Sequence, residues 1–128
     1  MNIVDSSGWL AYFADEPNAV HFLMPLNDSA SLVVPTVTIY EVFKVILRES
    51  HEDNALQAVA AMRKGTVADL TAPLAIAASK LSAEHNLPMA DSIILATAKE
   101  FNAKVWTQDS HFINISGVKY FPKIEQPQ

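Results

Sequence analysis

Short apolar runs alternate along the chain with longer stretches of helical spacing. Near the start NIVD has the pattern of a strand, and SSGWLAYFA after it that of a helix. Pro17 suits the first turn of a second helix, PNAVHFLMPL. SLVVP is a second strand, closed by Pro35, and TVTIYEVFKVILRES is a long helix from Thr36 to about Ser50. HEDNALQAVAAMRK follows as a helix, with Gly65 in the place of a C-cap. TVADL is a third strand. APLAIAASKLSAEHN is a helix stopped by Asn86, Leu87 and Pro88, and MADSIILATAKEFN is the next. KVWTQ is a fourth strand, VKYF a weak fifth, and the tail KIEQPQ is expected to fray. This alternation predicts an α/β fold, a three-layer sandwich with a central parallel sheet covered on both faces. With 128 residues and no repeat or linker, a single domain over residues 1–128 is expected.

In open parallel sheets, sites form beyond the carboxyl ends of the strands. Two strands deliver an aspartate there: Asp5 after the first and Asp109 after the fourth. Each has an ordinary explanation, because aspartate caps free helix N–H groups. Asp91, in the first turn of its helix, would complement the helix dipole. Glu41 follows Thr38 at capping-box spacing, but that helix is expected to begin at Thr36. The surroundings of Glu41 and Asp91 argue for more. TIYEVFKVIL is apolar nearly all round, which implies burial, and Asp91 precedes the apolar SIILATA. A buried carboxylate without a partner costs several kcal/mol or takes up a proton. Lys44 and Arg48 are on Glu41's side of its helix, but no obvious set of bases serves all four acids. Convergence of Asp5, Glu41, Asp91 and Asp109 would therefore call for a cation. All-oxygen ligation suits Mg²⁺ or Mn²⁺ rather than zinc, and the matching chemistry is metal-assisted phosphodiester hydrolysis.

Charge sharpens this picture. The net charge is −5, whereas a protein gripping nucleic acid by charge alone is basic. A bound divalent ion would bring phosphate to an acidic protein. The absence of cysteine excludes disulfides, thiolate metal sites and a thiol nucleophile. No apolar run approaches about 18 residues and no secretory signal is evident, so no membrane association and a cytoplasmic location are expected.

At these residues the chain resembles the PIN-domain ribonucleases, and more narrowly the VapC-type toxins of toxin–antitoxin pairs. The matching segments are IVDSSGWLAYF, YEVFKVI, LPMADSIILATAKEFNAKVWT and TQDSHF, in the expected order over almost the whole chain. The resemblance implies a metal-dependent endoribonuclease acting as the toxin of a type II system. It implies Asp5, Glu41, Asp91 and Asp109 as the acidic quartet, with Asp5, Asp91 and Asp109 holding Mg²⁺ or Mn²⁺. Ser7 and Thr107 match supporting hydroxyl positions. RNA is the implied substrate and a small antitoxin the implied partner. Gly8, where many relatives carry a larger apolar residue, is expected to be harmless.

Other residues have plainer roles. His111 is expected to face solvent, since neighbours in a turn rarely point at one another; His21, His51 and His85 are given the same role. Trp9, Tyr12 and Phe13 suit core packing better than base stacking. Tyr40, Phe43 and Leu47 give the third helix more apolar surface than one core face needs, which fits either a homodimer or antitoxin contact or deep burial in the domain. Two rival functions remain: an RNA-processing nuclease outside any toxin–antitoxin pair, and a receiver-like phosphoacceptor, for which Asp69 is the candidate acceptor.

Overall fold

The structure, a computed structural model, describes residues 1–124. Most of the tail expected to fray, residues 125–128, lies outside the described residues. The chain runs β1 (Asn2–Val4), α1 (Ser6–Phe13), α2 (Ala19–Leu26), β2 (Val33–Pro35), α3 (Thr36–Glu49), α4 (Glu52–Met62), β3 (Thr66–Ala68), α5 (Ala72–His85), α6 (Met89–Glu100), β4 (Lys104–Thr107) and β5 (Val118–Tyr120). One-turn 3₁₀ segments at Ser29–Ser31 and Ser110–Phe112 lead into β2 and out of β4.

All pairings are parallel. β4 lies between β1 and β5, with Ile3 opposite Val105 and Val4 opposite Trp106. β2 pairs with β3, and a single parallel bridge from Asn2 to Leu32 joins the two ladders. The strand order is therefore β3-β2-β1-β4-β5. The chain builds outward from β1 on one side, then returns to build outward on the other. The reversal falls between β1 and β4, where parallel sheets open a crevice at their carboxyl ends.

The period-two alternation of the strands divides the interior. Ile3, Val33 and Val105 face a core shared with Leu74, Leu81, Ile94 and Phe112, built by α5 and α6. Their neighbours Val4, Val34 and Trp106 face a second core with Trp9, Phe22, Val42, Ala58 and Met62, built by α1 to α4. A strand buried on both faces needs an apolar side chain at every position, which is why IV, VV and VW read as unbroken runs.

Several local expectations change. α2 begins at Ala19, two residues after Pro17, and Asn18 before it turns its side chain toward the sheet instead of capping the helix. α4 is capped at Arg63, and the one positive-φ glycine among the described residues is Gly117. Gly65 matters through space: a Cβ there would lie 2.9 Å from the Leu32 carbonyl oxygen. At Gly8 a Cβ would lie 2.5 Å from Val4 and 2.9 Å from Phe22, so the space there suits glycine. A larger side chain at this position would press on both Val4 and the Phe22 ring.

Burial of the helices is also redistributed. α3 buries only Thr38 and Val42, while Tyr40 and Leu47 are exposed. α6 is buried continuously from Asp91 to Ala98, because α5, α3 and the strands surround it. Small side chains such as Ala96 and Ala98 let those neighbours approach, whereas the long residues of α3 need only one face covered. Of the three aromatics of α1, Trp9 is in the core as expected and Tyr12 is partly exposed.

Candidate active site

Asp5 is the N-cap of α1, and Asp109 is the N-cap of the 3₁₀ turn after β4. The ordinary explanation of both acids is therefore correct as far as it goes. A strand must surrender its direction where a helix begins, and a capping aspartate stabilises that change by accepting an orphan N–H. Asp5 Oδ1 accepts from the Gly8 amide at 3.0 Å, and Asp109 Oδ1 from the His111 amide at 2.9 Å. Because β1 and β4 are adjacent and parallel, the two caps stand side by side at the reversal point.

Asp5 is sealed, with 2 % of its surface exposed. The Ser7 hydroxyl donates to Oδ1 and the Thr107 hydroxyl to Oδ2, each at 2.6 Å. Thr107 in turn accepts the Asp109 amide at 2.8 Å, so one hydroxyl ties both aspartates together. Burial is the main influence on the Asp5 carboxyl and pushes it up to about 7; the hydroxyl and amide donors oppose that rise, and the Asp109 charge adds to it.

The helices bring the other two acids. Asp91 sits in the first turn of α6, where the dipole also favours it. Its carboxyl is raised to about 6, first by burial and then by the charge of Asp109, against the lowering influence of His111. Glu41, on α3, is raised above its ordinary range by burial; Ser6 and Lys44 oppose this and Asp109 reinforces it. Its Oε1 is buried without a hydrogen-bond partner. Lys44 lies over the Tyr40 ring, and Arg48 pairs with Glu49 at the surface, so neither is a full counter-ion. Asp109 is the common neighbour: its charge acts on Asp5, Glu41 and Asp91 alike.

His111 is exposed as expected, but it also turns toward the acids. Its Nδ1 lies 3.0 Å from Asp91 Oδ2 and 3.0 Å from Asp109 Oδ1, while 55 % of the side chain remains exposed. Asp91, Asp109 and His111 can each offer one ligand atom within 4.8 Å of the others. The two neighbours meet because a one-turn helix folds residue i+2 back over its own cap. The i, i+2 spacing of Asp109 and His111 after a strand carries that signal. His21 instead stacks on Phe121, and His51 caps α4.

Two amide side chains that carry no signal in the sequence, Asn18 and Gln108, are also buried here. Gln108 donates from its backbone to Ser7 Oγ and from its side chain to the Ser7 carbonyl. Asn18 donates to the Gln108 side chain and to the Pro122 carbonyl. They fasten the first turn of α1, which carries Ser7, to the chain after β5. A groove of about 900 Å³ starts at Ser7 and Gln108 and runs between α1, α3 and α4 over Leu10, Phe13 and Ile46. Asp69 is exposed beyond β3, at the far edge of the sheet, which removes the receiver-like arrangement.

No curated protein matches the chain significantly. Solved structures do. A chain of a toxin–antitoxin complex from Klebsiella pneumoniae is similar with a TM-score of 0.82 at 21 % identity, covering 97 % of this chain and 100 % of that one. VapC20 of Mycobacterium tuberculosis, a sarcin–ricin-loop-cleaving toxin, gives 0.70 at 18 % identity, over 85 % of this chain and 92 % of that one. DNA-bound VapBC from Salmonella typhimurium gives 0.73 at 15 %, over 95 % and 98 %. At such identities the likeness is one of fold. The PIN domain family model, in contrast, matches residues 3–118, from the strand that delivers Asp5 to the one that flanks the Asp109 strand, and on that match the chain belongs to the PIN-domain family.

Proposed function

We propose that the protein is a Mg²⁺- or Mn²⁺-dependent endoribonuclease and the toxin of a toxin–antitoxin pair. The observation that carries this is the convergence of Asp5, Glu41, Asp91 and Asp109 at the reversal point of the sheet, around one shared neighbour and one buried, unpartnered Glu41 oxygen. Three carboxyls held above their ordinary range and an orphan acceptor describe a site whose charge is incompletely matched by the protein itself. A divalent cation fits that donor set. The TM-scores to chains of toxin–antitoxin complexes support the toxin assignment.

Asp5, Asp91 and Asp109 are the residues that would hold the ion, by side chain or through water. Glu41, on α3, would orient the attacking water. Ser7 and Thr107 fix the Asp5 carboxylate and, through the Asp109 amide, the backbone that presents Asp109. When bound, the metal supplies acidification of water and charge to offset that developing on the phosphate. The fully buried sheet side of the site excludes water, which strengthens both effects. A small antitoxin would fill the apolar groove beside Ser7 and bring a basic side chain to the carboxylates. The exposed Tyr40 and Leu47 of α3 would serve a homodimer.

RNA cleavage by highly purified protein tests the proposal. Cleavage is expected with Mg²⁺ or Mn²⁺, abolished by a chelator and suppressed by the cognate antitoxin. Robust cleavage in excess chelator overturns the metal mechanism. Undiminished cleavage with the antitoxin bound overturns the inhibitory groove.

A further inference from the structure

We infer that His111 is a metal ligand, making the ion's protein donor set two carboxylate oxygens and one imidazole nitrogen, and that the site therefore holds Mn²⁺ in preference to Mg²⁺. This rests on the metal-dependent reading above and extends it to a residue outside the acidic quartet. Nδ1 of His111 is equidistant, at 3.0 Å, from oxygens of Asp91 and Asp109. A single ring nitrogen has one proton or one lone pair, so it cannot make two full hydrogen bonds at once. Three ligand atoms arranged around one ion suit it better. Ligands about 2.1 Å from an octahedral ion stand about 3 Å apart on neighbouring vertices. The backbone supports the arrangement, because the His111 amide is fixed to Asp109 Oδ1 at 2.9 Å, which holds the residue's Cα beside the two acids. Nitrogen is a poor partner for Mg²⁺, which favours oxygen and keeps its waters, whereas Mn²⁺, a first-row transition ion, accepts an imidazole among oxygen ligands more readily.

The test is spectroscopic and uses the full chain with Mn²⁺ alone, without RNA. Electron spin echo measurements of bound Mn²⁺ are expected to show ¹⁴N coupling of imidazole type. His111→Gln should remove the coupling and weaken Mn²⁺ binding by at least about tenfold, with a smaller change for Mg²⁺. Replacing His21, His51 and His85 together by Gln, away from the acids, should leave the coupling intact, which assigns it even if the His111 variant folds poorly. Mn²⁺ bound without nitrogen coupling overturns this inference while leaving the acidic metal site in place. Tighter Mg²⁺ binding by His111→Gln overturns it too, since the ring would then be a plug. Failure of the wild type to bind Mn²⁺ at all overturns the metal reading itself, and this inference with it.

Discussion

Two strands end in the same way and arrive at different chemistry. β1 ends in Asp5 and β4 in Asp109, and each aspartate caps the helical turn that follows. Asp5 is closed over by α1 and accepts two hydroxyls and an amide. Asp109 retains 28 % exposure of its side chain and faces Asp91 and His111. One is a buttress and the other a working face. Local sequence sets the cap; the neighbour across the sheet sets the task. Thr107 joins them, giving its proton to Asp5 and its lone pair to the Asp109 amide.

The largest effect should come from neutralising the open side. Asp109→Asn and Asp91→Asn are expected to lower RNA cleavage by about 10²-fold or more, the scale on which one lost electrostatic contact to developing charge is felt. Both should also lose most of the rise in melting temperature that Mg²⁺ is expected to give the wild type by mass action. Asp5→Asn should lower cleavage yet keep most of that rise. Equal loss of the rise in all three variants would erase the distinction between buttress and working face.

Titration should separate the two ends next. In the folded chain Asp5 is raised from 3.8 to about 7, so between those values the native state holds a proton that the unfolded chain has released. Stability contributed by protonated Asp5 is complete below about pH 4 and is lost as pH rises through about 7. Asp91, raised to about 6, acts in the same sense. Melting curves in chelator should therefore fall from pH 5 to pH 8. Asp5→Asn should flatten them more than Asp91→Asn does, and a curve that rises with pH would contradict the burial of Asp5.

Thr107→Val tests the link. It leaves the Asp109 amide and one Asp5 oxygen without this partner, at a cost of about 1–3 kcal/mol of stability measured in denaturant. Thr107→Ser should recover most of it. The smallest effect is expected at Gly8, beneath the Asp5 cap. Overpacking against Val4 and Phe22 costs about 1–3 kcal/mol, and the better helix propensity of alanine returns about 1. Gly8→Ala should lose about 1 kcal/mol net. Phe22→Leu in the same chain should relieve part of that loss, and a Gly8→Ala protein that melts higher than wild type would show that the ring moves freely.

The sequence by itself determined the element order, the parallel α/β class and the acids at strand ends. These rest on short-range physics: unbroken apolar runs for doubly buried strands, helical periodicity, and the preference of aspartate for caps. It also marked Glu41 and Asp91 as acids among apolar neighbours. What it left open were distances between residues remote along the chain. Whether α3 or α6 would be enclosed depended on which neighbours packed against each, and periodicity does not say how many faces are covered. The seal over Asp5 depends on Thr107, 102 residues away, reaching it across a β1–β4 pairing. His111 looked like a surface residue because its approach to Asp91 spans 20 residues and requires α6 to lie over the end of β4. Only the folded sheet, by setting strands side by side, converts separate capping aspartates into one site, because Coulomb interactions between carboxylates act over a few ångströms of space and take no account of separation along the chain.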